Sequence, residues 1–385
     1  MAATTDWQTM RTTTASRESG GISDGLVRFA AQAHALEIPA EALAAARRAL
    51  IDTIGVMLAG RHEKPVTILA DALGSGSEAF SFAGRCWLRA EDAAWLDGLA
   101  GHVLDYDDVA QQGHPSVVMI PALLAEAQRT GASGLTLLRS YVIGYEAWAE
   151  LNRREADPYH VGSWHPTSML GILAATCALA ALHGLDHATT SHALAIAASF
   201  ASGVIANFGT HTKPLQVGRA AAGAVQALRL ARSGMTGSAE AVGGAHGMLR
   251  GISPHGKVDT TSPAGLGNSE WRLLSEGLSI KRYPVCYASH RAIDGVLAVT
   301  ARNRLEAAQV RGVTVSLGRS PAATLRYDRP RNGLEARFSL HHNVAAALMC
   351  GTVGFDQLSD AFVQRPDVAT LYPLTNVEIV DEECP

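Results

Sequence analysis

The sequence has little charge and no clustered cysteine, and each shortage excludes a class of protein. Only 18% of its 385 residues are charged and the formal net charge is -4, so the basic excess that nucleic-acid phosphates require is missing. The five cysteines form no C-x-x-C pair, which argues against a disulfide framework, a zinc ribbon or an iron–sulfur cluster; they are Cys86, Cys177, Cys286, Cys350 and Cys384. We expect no nucleic-acid partner and none of these cysteine-based centres.

Long apolar runs and nucleotide-binding motifs are also missing. No segment approaches the roughly 20 uninterrupted apolar residues of a membrane span. The polar leader over residues 1–22, which we predict to be disordered, lacks the apolar core of a secretory signal. Neither a G-x-G-x-x-G after a strand, nor a P-loop, nor a G-x-S-x-G elbow is present. These absences predict a cytoplasmic protein that has no membrane partner and no nucleotide cofactor.

Apolar residues, by contrast, are abundant, and they follow a helical pattern. The chain is 47% hydrophobic and contains 66 alanines, a composition that favours closely packed helices. The periodicity predicts helices over residues 40–60, 90–103 and 219–234, and another that begins at residue 121. It also predicts two strongly apolar helices, one on each side of a break at residues 183–186. No convincing strand precedes residue 250. We predict an all-helical domain over 23–262, which later residues could complete.

The character of the sequence changes after this domain. Gly, Ser and Pro become frequent over 251–280, and alternation near 310–318 and 376–383 is typical of half-buried strands. A helix is expected between them, over 335–351. The predicted fold is therefore mainly α, with a smaller α+β lid domain over 263–385.

Polar residues collect in a few segments between the apolar helices. Asp105, Asp107 and Asp108 precede His114, and they could provide acid–base chemistry, position a substrate, or form a solvated acidic loop. A metal loop is disfavoured because the alternating oxygen ligands and the glycine turn are missing. His165 stands before the most apolar helix, where the helix dipole lowers a histidine pKa; the alternative is a structural histidine packed beside Trp164.

Cations and further histidines occupy the other polar segments. Lys213, near His211, offers a cation for a substrate carboxylate or a developing enolate, although a surface turn is the alternative. Lys281 and Arg282 precede His290 in a segment that could instead be a solvated domain junction. Tyr327 lies between two arginines, and the adjacent His341 and His342 are not by themselves a metal pair. Together these residue types indicate proton transfer on an anionic substrate without a cofactor or a metal.

Five ordered motifs resemble those of the MmgE/PrpD family, which includes 2-methylcitrate dehydratase, cis-aconitate decarboxylase and iminodisuccinate epimerase. The likeness runs from about residue 23 to 345, through LIDTIGVMLAG, HVLDYDD…GHPS, WHPTS, GTHTKPLQVGRAA and KRYPVCYASHRAIDG. It implies a helical domain with an α+β lid, usually in a homodimer. It also implies cofactor-free chemistry on small di- or tricarboxylates in the cleft between the two domains.

The resemblance also assigns site residues. Its catalytic positions fall on Asp105, His114, His165, Lys213, His290 and Tyr327. For substrate carboxylates we expect binding by Lys213, Arg282 and His211. The chain departs from the family pattern at Val109, where the decarboxylases carry Thr, and at Gln216, where His is frequent. From the resemblance we also expect the lid to be short at its C-terminus.

These features predict a lyase that abstracts a proton next to a carboxylate. His165 is the preferred base, Asp105 orients a histidine, and His290 or Tyr327 acts as the opposing acid. Among the possible reactions, we expect a 2-methylcitrate dehydratase-like loss of water before the others, because it is a common assignment in the resembled family. Decarboxylation and epimerisation share an enolate-like intermediate and remain alternatives. An inactive carboxylate-binding member of the family is a further alternative.

Overall fold

The computed structural model describes residues 21–267 and 270–380, so residues 1–20 of the predicted leader, the extreme C-terminus and Cys384 lie outside the described residues. Ile22, the last residue of that predicted leader, instead begins the first helix. Helices dominate the first part of the chain: α1 Ile22–Ala31, α2 Ala40–Gly60, α3 Lys64–Ala72, α4 Ala90–His102, α5 Ser116–Thr130, α6 Gly134–Arg153, α7 Pro166–His183, α8 His187–Phe200, α9 Thr212–Arg232, α10 Met248–Ile252 and α11 Arg272–Ser275. The mainly α fold is confirmed.

The expectation of no strand before residue 250 was wrong. Strands β1 (Ala79–Ser81) and β2 (Cys86–Leu88) form a short antiparallel hairpin. Each strand has only three residues, which is too short to produce a recognisable alternation of apolar and polar side chains. Two helices also begin earlier than predicted, because α5 starts at Ser116 with Pro121 inside it, and α9 starts at Thr212.

Helix α7 forms the centre of this helical body. Every residue from Pro166 to Ala180 is buried, and α7 packs against α5, α6, α8 and α9. It is long and apolar enough to cross a membrane by length and composition alone, but 83% of that stretch is buried inside the protein. Burial on all sides therefore accounts for its apolar composition.

The second unit has its own, smaller core. Its elements are α12 His290–Asn303, β3 Val313–Gly318, α13 Arg319–Thr324, α14 Gly333–Ala336, α15 Leu340–Cys350, α16 Asp360–Val363, α17 Pro366–Ala369 and β4 Thr375–Val380. The two strands pair in parallel, with Val313 opposite Thr375 and Gly318 opposite Val380. Phe208, from the segment between α8 and α9, joins this second core, so the two units meet beside the start of α9.

Candidate functional site

Asp105 lies at the centre of a buried cluster of charges. It follows α4 in a turn where its backbone has φ 51°, in the left-handed region. Its carboxylate is contacted by the ammonium groups of Lys213 and Lys281. Lys281 Nζ lies 2.8 Å from Asp105 Oδ2 and also donates to the Asp105 carbonyl oxygen at 2.7 Å. Burial opposes ionisation, but the two lysines hold the pKa of Asp105 well below its usual value.

The two lysines come from different parts of the fold. The chain contains only four lysines, and two of them converge on this one carboxylate. Lys213 stands in the first turn of α9, between the rings of Phe208 and Phe338 at 5.3 and 4.8 Å. Within the described residues its ammonium donates only to Asp105. Because an ammonium group has three N–H donors, Lys213 keeps donors available for an anionic ligand.

A pair of histidines shares a second buried carboxylate. His102, the last residue of α4, places Nδ1 2.8 Å from Asp107 Oδ2, and His114 Nδ1 is 3.1 Å from the same oxygen. Their ring centroids are 4.7 Å apart. Although burial opposes ionisation, His102 and His114 lower the pKa of Asp107 below its usual range. Burial lowers the pKa of His102 to about 4, so its imidazole is neutral at pH 7.

His165 completes the histidine cluster from the N-terminus of α7. Its ring centroid is 5.7 Å from that of His102 and 4.9 Å from that of Phe208. Gln216 donates from Nε2 to the Val204 carbonyl at 3.1 Å, which turns its Oε1 towards His165 Nδ1 at 2.8 Å. His165 Nδ1 is therefore the protonated nitrogen, and Nε2 keeps its lone pair. Burial, followed by the nearby His102, lowers the pKa of His165 well below its usual value.

Helix ends explain why these polar groups converge between apolar helices. Helix α4 ends at His102, α7 begins after His165, and Lys213 is in the first turn of α9. The N-terminus of a helix carries partial positive charge and free N–H groups, which favour anions and disfavour protonated histidine. The starts of α7 and α9 therefore suit an anionic ligand beside the Lys213 ammonium and the neutral imidazole of His165.

His290 and Tyr327 lie at the edge of this cluster, in the second unit. His290 Nε2 is 3.4 Å from the Val285 carbonyl, and its ring packs between those of Tyr283 and Tyr287. Burial, and next Lys281, lowers its pKa to about 4. The Tyr327 hydroxyl donates to the Phe208 carbonyl at 2.9 Å. Tyr327 therefore holds the backbone of Phe208, whose ring lies beside Lys213.

Two predicted substrate-binding residues are not brought into the cluster. The Arg282 side chain is 73% exposed and lies 3.2 Å from Asp294. Its neighbour Lys281 is buried and reaches Asp105, so Lys281 replaces Arg282 as the candidate anion-binding residue. His211 is half-buried just before α9. No described contact joins it to the charged centre.

Sequence reasoning missed His102 and gave no role to Gln216 except as a departure from a pattern. His102 looked like the end of an apolar helix, and its short spacing to Asp107 was the one available signal.

The same cluster contains three side chains of types that bind metal ions. Donor atoms of His102, Asp105 and His114 lie within 4.8 Å of one another. Asp105 is already neutralised by two ammonium groups, and their charge repels a divalent cation. The donor set therefore fits an organic anion better than a metal ion.

The fold and the cluster define a class of protein: a helical body with a small α+β unit, and a buried Lys–Asp–Lys and histidine centre suited to carbanion chemistry. The MmgE/PrpD N-terminal domain matches residues 24–261 and the MmgE/PrpD C-terminal domain matches residues 283–384. The chain belongs to the MmgE/PrpD family, as the sequence motifs predicted.

Several curated relatives are cis-aconitate decarboxylases. The mouse enzyme is 28% identical over 74% of this chain and 60% of its own length, and the human enzyme is 27% identical over 76% and 62%. The Aspergillus terreus enzyme is 24% identical over 92% of this chain and 77% of its own length. The chain thus spans less than two thirds of the length of the mouse and human relatives.

Proposed function

We propose that this protein is a lyase that removes CO₂ from a small unsaturated tricarboxylate of the cis-aconitate type. One structural observation carries the proposal: two ammonium groups, from Lys213 and Lys281, flank a buried ionised carboxylate beside neutral histidines. The names of the curated relatives support decarboxylation over the other reactions of this chemistry.

Substrate carboxylates would bind to the free donors of Lys213 and at the helix N-termini around it. When the C–C bond to the leaving carboxylate breaks, its electron pair moves into the remaining conjugated carboxylate and forms an enediolate. Lys213 and Lys281 stabilise that developing negative charge in a site from which water is largely excluded. One proton then adds to a carbon atom of this enediolate. Lys213 would supply the proton, because its ammonium keeps N–H donors that no described residue occupies.

Dehydration is the second candidate, and a different observation favours it. The Nε2 lone pair of His165 is available as a base, and loss of water begins with removal of a proton next to a carboxylate. Val109 also lacks the hydroxyl that the resembled decarboxylases carry at this position. The same lysines would stabilise the enediolate in either reaction, so the leaving group alone separates the two candidates.

To test this proposal, the protein is incubated in D₂O with cis-aconitate and, separately, with 2-methylcitrate. NMR then follows the fate of each compound. We expect cis-aconitate to release one CO₂ and to gain one deuterium on carbon. Lys213→Met should lower kcat/KM by about 10²–10³-fold, whereas Lys257→Met, which removes an exposed lysine that pairs with Asp157, should change it less than about twofold.

Other outcomes would replace this proposal. Loss of water from 2-methylcitrate without loss of CO₂ would identify a dehydratase. Exchange of a C–H for deuterium with no net reaction would indicate an epimerase. Thermal stabilisation by either compound without any turnover would indicate a carboxylate-binding protein. Full activity of Lys213→Met would show that this lysine does not stabilise the intermediate.

A further inference from the structure

A cavity of about 340 Å³ lies where the helical body meets the second unit, separate from the Asp105 carboxylate. Both units contribute to its walls, which include Ala59, Glu63, Leu104, Arg337, Phe355 and Asp360. Its volume falls within the range of small-molecule sites. Neither the proposed reaction nor the histidine cluster uses it.

Arg337 is the unusual member of this wall. It is only 6% exposed, and its Nη1 donates to the Val103 carbonyl at 2.9 Å. Its Nε has no hydrogen-bond partner among the described residues, and none of their carboxylates lies within 4.0 Å of its guanidinium. A buried guanidinium without a contacting anion is costly, so this side chain is suited to receive one.

The two acids of the cavity do not meet that need. Asp360 is exposed, and its Oδ1 accepts from the Gly333 amide at 2.8 Å. The Glu63 carboxylate is half-buried and makes no hydrogen bond to the described residues, although its charge acts on Arg337 through space. Glu63 therefore moderates the positive potential without pairing with the guanidinium.

We propose that this cavity is a binding site for a small monocarboxylate, held by Arg337. The planar guanidinium matches a carboxylate, to which it can present two parallel N–H donors. Apolar side chains of Leu104 and Phe355 line the same cavity and suit a short carbon chain. The nearby charge of Glu63 disfavours phosphate and polycarboxylates, which carry more negative charge, and so selects a monoanion.

The site is independent of the proposed reaction, although it adjoins the same turn. Arg337 holds the carbonyl of Val103, two residues before Asp105. Arg337 therefore contacts the backbone before Asp105, whereas Lys213 contacts the Asp105 carboxylate and does not line the cavity. Ligand binding in the cavity should depend on Arg337 and Glu63 and be insensitive to the lysine.

The test uses butyrate as the probe, with affinity measured by isothermal titration calorimetry on the full chain. We expect butyrate to bind the wild type and Lys213→Met alike, and Arg337→Met to bind at least about tenfold more weakly. Glu63→Gln should tighten binding about two- to fivefold by removing a like charge. The Glu63 side chain makes no capping hydrogen bond to α3, so this variant should fold normally and keeps the test decisive if Arg337→Met does not fold.

Three results would overturn the proposal. In the first, the wild type does not bind butyrate. In the second, Lys213→Met loses butyrate binding while Arg337→Met keeps it. In the third, Glu63→Gln binds butyrate as tightly as the wild type or more weakly. The second result would place butyrate at the Asp105 centre instead.

Discussion

Three aspartates of one turn have pKa values that are shifted in different directions, although all three lie within residues 105–108. Asp105 meets two lysines, Asp107 meets two histidines, and Asp108 meets Ser116. The pKa values of the first two are lowered by these partners. Burial instead raises the pKa of Asp108 well above its usual value, which favours the uncharged form of its carboxyl. The partners and the burial of each carboxyl, rather than its residue type, decide the direction of its pKa shift.

Asp107→Asn and Asp108→Asn form a matched pair that tests this difference. Asp107→Asn removes the negative charge that orients His102 and His114, and we expect kcat to fall by about 10²-fold or more. Because burial favours the uncharged form of Asp108, Asp108→Asn puts an amide of the same shape in its place and should stay within about threefold of the wild type. Steady-state kinetics on the identified substrate measures both. Equal losses in the two variants would contradict this difference between Asp107 and Asp108.

The acid limb of the pH profile reports on the neutral histidines. An imidazole accepts a proton only above its pKa, and burial lowers the pKa of His102 to about 4 and that of His165 well below its usual value. Lowering a pKa extends the active range to more acidic pH. If a neutral histidine is required, kcat/KM should stay constant from about pH 7 to about pH 5 and fall towards pH 4. A midpoint near 6.5 in protein that remains folded by circular dichroism would contradict it.

At the level of helices, the site depends on how closely α4 and α9 cross. Gly98 and Gly218 face one another there, and a Cβ on Gly218 would lie 2.2 Å from the Trp95 carbonyl oxygen and 2.7 Å from the Leu99 nitrogen. Backbone atoms cannot move aside as a flexible side chain can. Because α4 leads to Asp105 and α9 carries Lys213, this crossing also fixes the distance between the two charges.

Gly218→Ala should therefore destabilise the protein by about 1–3 kcal/mol, the usual cost of overpacking. Gly295→Ala is the matched control, because Gly295 is exposed within α12 and a Cβ there meets nothing within 4 Å. That change should stabilise the protein by about 0.5–1 kcal/mol through helix propensity. Urea unfolding measures both, and similar stabilities of the two variants would show that the crossing is not close.

At the scale of the whole molecule, the site belongs to neither unit alone. Asp105 and His165 come from the helical body, whereas Lys281 follows it and Phe338 lies in the second core. The relative position of the two units thus decides how closely the Phe338 ring packs on the Lys213 ammonium. Substitutions that loosen the contact between the two units would change activity without touching the reacting groups.

We also propose that two copies of the chain associate through α2, in keeping with the homodimer that the family resemblance implied. Ile51 and Leu58 are 64% and 42% exposed, and their spacing of seven places them on one face of this helix. Ile51→Asp should convert a dimer to a monomer in light scattering, whereas Leu135→Asp, at a residue 58% exposed on α6, should not. A monomeric wild type would contradict this proposal.

Much of the fold follows from local pattern. The apolar pair of helices around residues 183–186 and the two strand-like segments, β3 and β4, lie where the periodicity placed them. The hairpin Ala79–Ser81 with Cys86–Leu88 was missed because its strands are short. His102 was missed because its one local signal, the short spacing to Asp107, does not show that the last residue of an apolar helix turns towards that carboxylate.

The sequence by itself determined the helical body and its family, because apolar spacing and ordered motifs depend on residues close together in the chain. Only the tertiary structure decided that Lys281 rather than Arg282 reaches Asp105, and that Gln216 orients His165. Adjacent residues in an irregular segment have the same local signal and point in different directions. Which of them is buried depends on how distant helices pack.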